Sequence, residues 1–341
     1  MEQTMNVYLT LDYELFLGER TGTPENCLIK PMNELMAISS DFGARFTVFV
    51  DAAYLLKLYQ LKGGAPVLDE QFNLIVSNII DMQSRGHDIQ LHFHPQWLYS
   101  QWDNLNNQWI LDQVHYKLTD MPISEAYTNI ISAKKLLENI CDKKVFGFRA
   151  GGFCMDSFYK FKSLFISQNL LYDSSVARGL YIDSPIHSYD YRNVPSKQIY
   201  SFEDSVFEES EGGTFTEMSI SSFSCSSFEF ISKIRPLKKN YYPKIVFQDG
   251  KAISDGINLT FDRIKRLFSR NVFLASIDGP SSNLLDLYYK KSIDKGQKDL
   301  ILIGHPKNAS DVSITNLGLF FGRHKDELKY NTLTDLISKR G

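Results

Sequence analysis

Segments with the composition of β-strands end repeatedly in residues able to do chemistry. VYLTLD closes on Asp12, TVFVD on Asp51, DIQLHFH on His92 and His94, and VFGFR on Arg149. LLYD closes on Asp173, TFTE on Glu217, VFLASID on Asp278 and LILIGH on His305. In a parallel α/β barrel the C-terminal strand ends meet at one mouth, where the active sites of barrel enzymes lie. Acids, histidines and an arginine on one rim predict an enzyme with a metal or acid–base centre.

Asp12, Tyr13 and Glu14 come first in the chain. Side chains alternate along a strand, so the two carboxylates share a face if the strand runs on through Glu14. One could ligate a metal while the other takes a proton from bound water, a division that needs two carboxylates in different surroundings. The plainer alternative is an acidic strand end that caps a helix or pairs with a lysine. His92 and His94 are two apart, a spacing that splays them on a helix but aligns them on a strand. Pro95 pushes His94 toward extended geometry, so both imidazoles are expected on one face, with a helix starting at Pro95. Two imidazoles and a carboxylate form a common open divalent-metal site, although most such histidine pairs are surface or core residues. His87, at the other end of that segment, reads as structural.

Arg149 precedes Gly151 and Gly152, which permit close backbone approach. Its guanidinium fork could hold a carboxylate such as Asp12 in the ionised state, or form a structural ion pair. His305, followed by Pro306, must end its strand extended, and a histidine can pass a proton to a leaving group near neutrality. His115, His187 and His324 fall in loop-like or helix-start segments and carry little weight. Trp97, Trp102 and Trp109 lie within a short stretch after the histidine pair, with Tyr99 among them. Such aromatics suit stacking on a sugar ring, and equally suit packing a loop onto the barrel; Trp97, Tyr99 and Trp102 are the candidate substrate contacts.

These residues need a scaffold that converges strand ends. Apolar β-branched runs alternate with helical patterns, which favours parallel strands with crossover helices. Helices are expected in PMNELMAISS, DEQFNLIVSNIIDMQSRG, SEAYTNIISAKKLLENI, MDSFYKFKSLFISQ, NLTFDRIKRLFSR, SNLLDLYYKKSIDKG and HKDELKYNTLTDLISK. In the second, Phe72, Ile75, Ile79, Ile80 and Met82 form the apolar face and Gly86 the stop. Two stretches, 177–213 and 221–257, break the rhythm and read as loop excursions from one domain spanning 1–341. The expected class is α/β: a distorted (β/α) barrel of about seven to eight strands with long loop excursions.

Composition narrows the function. Lys+Arg 37 against Asp+Glu 40 leaves a net charge of −3, with no basic excess to argue for a nucleic-acid partner. The densest basic run, Lys233 to Lys239, reads as a solvated loop. The N-terminus lacks a signal-peptide pattern and no apolar run is long enough to span a membrane, so a cytoplasmic location is expected. Cys27, Cys141, Cys154 and Cys225 are scattered without a C-x-x-C pair, which fits reduced structural thiols.

The segments LTLDYE, GHDIQLHFHPQW, FRAGGF, YDSS and LIGHPK occur in the order of the motifs of polysaccharide deacetylases, carbohydrate esterase family 4 (the NodB-homology family). The resemblance covers about residues 5–310 and is closest to cytoplasmic-looking members of surface-glycan biosynthesis. It implies a distorted (β/α) barrel, a divalent metal that is often zinc, and removal of N- or O-acetyl groups from a sugar. By resemblance Asp12 matches the catalytic base, Glu14 a metal carboxylate and His92 the first metal histidine. Arg149 matches the residue that orients the base, Asp173 the acid near the catalytic histidine, and His305 the general acid. Three departures stand out. Tyr13 separates the two acids of the first motif, and the family's second metal histidine aligns with Gln96, so that either His94 takes the ligand position or the metal is weakened or lost. YDSS also lacks the tryptophan that often follows. A sugar-binding descendant without the metal, and a hydrolase of another C–N bond, are the alternatives.

Overall fold

In the computed structural model, residues 4–338 are described apart from 156, 185–186 and 253–270. The strand Met5–Tyr13 lies at the heart of the sheet. Val7, Tyr8, Leu9, Leu11 and Tyr13 are all buried, the near-continuous apolar run expected of a parallel strand covered on both faces. Along one edge it pairs with Asp299–Gly304 through Asn6–Leu11. Its other edge is shared: Met5–Tyr8 pair with Leu328–Asn331 and Leu9–Tyr13 with Phe46–Val50. Beyond Phe46–Asp51 follow Asp88–Phe93, Gly147–Ala150, Tyr172–Asp173 and Phe215–Met218, all parallel. Ile199–Phe202 adds an antiparallel outer strand. The sheet curls until Ser221 N–H reaches Ile301 O at 3.0 Å and Ser276 bridges Ile303 in parallel. The result is an α/β fold with a nearly closed barrel-like sheet of eight parallel strands, the distorted barrel expected.

The helices cover the sheet for ordinary reasons. Pro66–Ser84 starts with proline in its first turn, where a missing N–H costs nothing, and Gly86 follows its end at φ +85°. Leu68, Phe72, Ile75, Ile79 and Met82 are buried at helical spacing, each contributing about 1.5–3 kcal/mol if fully buried. Ile80 is not part of that face; it is exposed. Ile123–Cys141 and Lys30–Ser40 occupy expected positions. The helix expected over 324–339 divides into the strand Leu328–Asn331 and the short helix Leu333–Ser338, because edge pairing with Met5–Tyr8 outweighs the local helical pattern. The expected NLTFDRIKRLFSR helix lies outside the described residues.

Candidate active site

Parallel register carries the reactive residues around the rim. Asp51 is level with His92, His92 with Arg149, Phe148 with Asp173, and Asp173 with Glu217. The acid–aromatic–acid segment at the head of the chain alternates as expected. Tyr13 turns away, donating its hydroxyl to Asn78 Oδ1 at 2.9 Å, while Asp12 and Glu14 face the mouth.

Glu14, His92 and His94 form a buried cluster whose ligand atoms lie within 4.8 Å of one another. Glu14 Oε2 is 3.0 Å from His92 Nε2 and 3.2 Å from His94 Nδ1. Tetrahedral zinc with bonds near 2.0–2.2 Å needs donors about 3.4 Å apart, so the donor set and its spacing fit a divalent ion. The two imidazoles stand edge to face, 4.5 Å between centroids, both on one side of the strand. His92 Nδ1 is fixed by the Arg149 carbonyl at 2.8 Å. Asp51 Oδ2 lies 3.1 Å from His94 Nδ1 and also accepts the Trp97 indole N–H at 2.8 Å. Gln96 is buried in the following helical turn and takes no part in the cavity wall.

The other oxygen of Glu14, Oε1, accepts from the Lys307 ammonium at 2.7 Å. Burial alone would push the Glu14 carboxyl up, but Lys307, His94 and His92 outweigh it and hold the group well below its usual range. Burial likewise disfavours a charged His92, yet Asp12, Glu14 and Asp51 together raise it to about 9.

Arg149 is fully buried and grips Asp12 Oδ1 through Nη1. Its remaining N–H groups donate to Thr10 Oγ1 at 3.0 Å, Ser174 Oγ at 2.8 Å and the Ser174 carbonyl at 2.7 Å, with the Phe49 ring 4.1 Å away. A planar fork with four directed acceptors leaves Asp12 one position. Gly151 permits this crowding: a Cβ there would sit 2.5 Å from His94 Cδ2 and 2.7 Å from the Phe93 carbonyl.

His305 meets Asp278 and not Asp173. The bridge between Ser276 and Ile303 places Asp278, two residues on, level with His305. Asp278 Oδ2 is 2.9 Å from His305 Nδ1 and accepts the His305 backbone N–H at 2.7 Å. Burial works against a charged imidazole, but the Asp278 hydrogen bond outweighs it and raises His305, while Asp278 itself is lowered. His305 Nε2 then faces Asp12 Oδ2 at 3.7 Å and Glu14 Oε1 at 3.8 Å. Asp173 is bound instead to Ser175, at 2.8 Å from its hydroxyl and 3.1 Å from its N–H.

These groups open onto a cavity of about 330 Å³ walled by Phe16, Leu17, Tyr116, Phe153 and Asn308. Phe153 sits at φ +63°, a conformation that costs a non-glycine residue about 1–3 kcal/mol and is met most often at functional sites. A larger hollow of about 810 Å³ lies where the strands begin, beside Met5 and Lys298, with its histidine, His324, bound to Asp286 and Glu327. Asp12, Glu14, His92, His94 and His305 all line the smaller one.

No protein-family model and no curated protein matches the chain. Solved structures do. A Mycobacterium smegmatis protein assigned as a polysaccharide deacetylase superposes with a TM-score of 0.53 at 14% identity, over 99% of this chain and 91% of that one. PuuE allantoinase superposes with a TM-score of 0.50 at 10% identity, over 98% and 89%. The likeness is one of fold.

The expected tryptophan platform is not at the cavity. Trp97 is fully buried, packed 4.4 Å from Tyr54 and 5.5 Å from Trp109 between ring centroids. Tyr99 stacks on His115 and donates to Glu125, and Trp102 borders a separate hollow beside Lys57 and Leu61. Indoles clustered in sequence buried one another, the larger gain in apolar area. His87 is structural, accepting the Phe46 N–H at 3.0 Å, and burial lowers it to about 4. Asp51 and Asp278 were visible only as strand-end acids, and Lys307 only as a neighbour of His305; nothing in the sequence marks Tyr116 or Phe153 as cavity residues. The four cysteines are buried, and none is in a disulfide. No helix among the described residues is long and apolar enough to cross a membrane.

Proposed function

We propose that this chain is a metal-dependent hydrolase that removes an acetyl group from a sugar of a glycan or glycan precursor. The observation that carries the reading is one small cavity onto which a Glu14–His92–His94 cluster, the Arg149-held Asp12 and the Asp278-held His305 all open. Glu14, His92 and His94 would hold the ion, for which zinc suits the donors; when bound it supplies a Lewis acid for the acetyl carbonyl and a more acidic water. Asp12 is the general base, its carboxylate fixed by Arg149 so that the free oxygen faces the cavity. His305 is the general acid. Asp278 holds its Nδ1, leaving the Nε2 proton for the departing amine or alcohol as acetate is released. Phe153 and Tyr116 offer the flat apolar surface for the sugar ring that the tryptophans do not. The family resemblance, the deacetylase-like fold and the allantoinase-like fold all agree with hydrolysis of an acyl bond.

Asp12→Asn keeps the shape and removes the base. With a panel of N- and O-acetylated sugars and cyclic amides, acetate release by the wild type and its loss in the variant support the assignment. Undiminished release by Asp12→Asn refutes it. Hydrolysis of the cyclic amides alone reassigns the bond, and protein that binds no divalent ion points to a sugar-binding descendant.

A further inference from the structure

Behind Arg149 lies a second pair of acids that the proposed reaction does not use. Asp173 and Glu217 are level on adjacent parallel strands, both buried. Asp173 takes both donors of Ser175, and Glu217 Oε1 takes the Val176 N–H at 3.2 Å. Glu217 Oε2 is sealed from water and has no N–H or O–H donor among the described residues; the carboxyl level with it on the adjacent strand is that of Asp173. Two ionised carboxylates have no proton to bond with, whereas one carboxylic acid and one carboxylate bond strongly.

The surrounding charges point the same way. Arg149 faces the pair, but its N–H groups are directed to Asp12, Thr10 and Ser174. Among the described residues, the other titratable groups facing the pair are the phenols of Tyr191 and Tyr200, both buried, and the Tyr200 hydroxyl donates to the Val206 carbonyl. One guanidinium thus serves three buried carboxyls.

We propose that Glu217 is kept as the un-ionised acid at neutral pH and donates its O–H to Asp173, and that this bonded pair is a positioning element for the catalytic base. The link is short. Asp173 and Ser175 flank Ser174, whose carbonyl and hydroxyl grip Arg149, which in turn holds Asp12. Burial, then the charge of Asp173, raises Glu217 well above the ordinary range, in agreement with the geometry. Loss of the shared proton would set two negative charges side by side and push the Ser174 shelf off Arg149.

The role in catalysis rests on the deacetylase reading; the shared proton does not. Infrared difference spectra of the full-length wild type against Glu217→Gln, at a pH near 8 and far above the usual carboxyl value of about 4, test the proton directly. The expected result is the carbonyl stretch of an un-ionised carboxylic acid, sensitive to H/D exchange and absent from the variant. Absence of that band from the wild type overturns the proposal, whatever the enzyme's substrate. For positioning, Glu217→Gln retains an N–H donor for Asp173 and should keep kcat within about threefold, while Glu217→Ala, folded by its melting curve, should lose tenfold or more. Equal kcat in the two variants overturns the positioning role, and if neither wild type nor variant deacetylates any sugar, the function fails while the infrared result still decides the proton.

Discussion

Removing the Arg149 guanidinium should cost more stability than any surface change in this chain, and removing its partner as well should restore much of it. In Arg149→Met a side chain of similar length fills the space, so the loss is electrostatic and not a cavity. Asp12, only 2% exposed, is left as a buried unpaired charge, worth about 3–5 kcal/mol. The Ser174 carbonyl loses its donor, adding about 1–3 kcal/mol. Ser174 Oγ still donates to the Met218 carbonyl and Thr10 Oγ1 to the Leu302 carbonyl, so those hydroxyls stay satisfied. The variant should therefore be destabilised by about 4–8 kcal/mol, much of the 5–15 kcal/mol a domain typically possesses. In Asp12→Asn/Arg149→Met no charge is stranded, and the deficit should fall to about 1–3 kcal/mol. Equilibrium urea unfolding followed by tryptophan emission reads both, since Trp97 and Trp109 lie in the core. The reasoning fails if the single variant lies within about 1 kcal/mol of wild type, or if the double variant is no more stable than the single.

Asp278→Asn should lower deacetylation by about 10²–10⁴ by removing the carboxylate that holds His305, with sugar affinity little changed; a loss below threefold would mean that His305 needs no partner. Glu217 binds a proton in the folded chain that the unfolded chain gives up near pH 4. Its stability contribution is complete below that pH and is lost as pH rises toward the raised folded value, so wild type should weaken relative to Glu217→Gln on going from pH 5 to pH 8, by at most about 1.4 kcal/mol per unit. Parallel urea curves at all pH values would contradict this. Trp97→Phe should cost about 1–3 kcal/mol by taking the indole donor from a buried Asp51 oxygen and leave sugar affinity unchanged, because the indole is buried; a KM rise of tenfold would restore it to the substrate surface.

What could be read from the chain was the set of reactive strand ends, since strand composition and the alternation rule are local. Which acid serves which histidine could not be. Asp173 and Asp278 both end short apolar runs, and only the register of Ser276 beside Ile303 gives His305 to Asp278. Asp51 and Trp97 meet through a helix turn and a loop, a relation that has no local signature. The helix Ala52–Gln60 also escaped notice: Ala52, Ala53, Tyr54, Leu55, Leu56 and Leu58 are all buried, so no polar face betrays its period. In LKYN the opposite happened, a helical context being overruled by the free edge beside Met5–Tyr8.

That shared edge has a further consequence for synthesis. The strand that carries Asp12 is made well before its neighbours Asp299–Gly304 and Leu328–Asn331, the paired Asn6 and Asp299 being 293 residues apart. Asn6 waits for Asp299 and Asn331 before its side-chain bonds exist. On the ribosome, Asp12 and His305 therefore cannot face each other until the chain has emerged past Asp299–Gly304, and the early strand must stay shielded from aggregation meanwhile. Nascent chains stalled before residue 299 should be protease-sensitive throughout this strand, and those released past 331 protected.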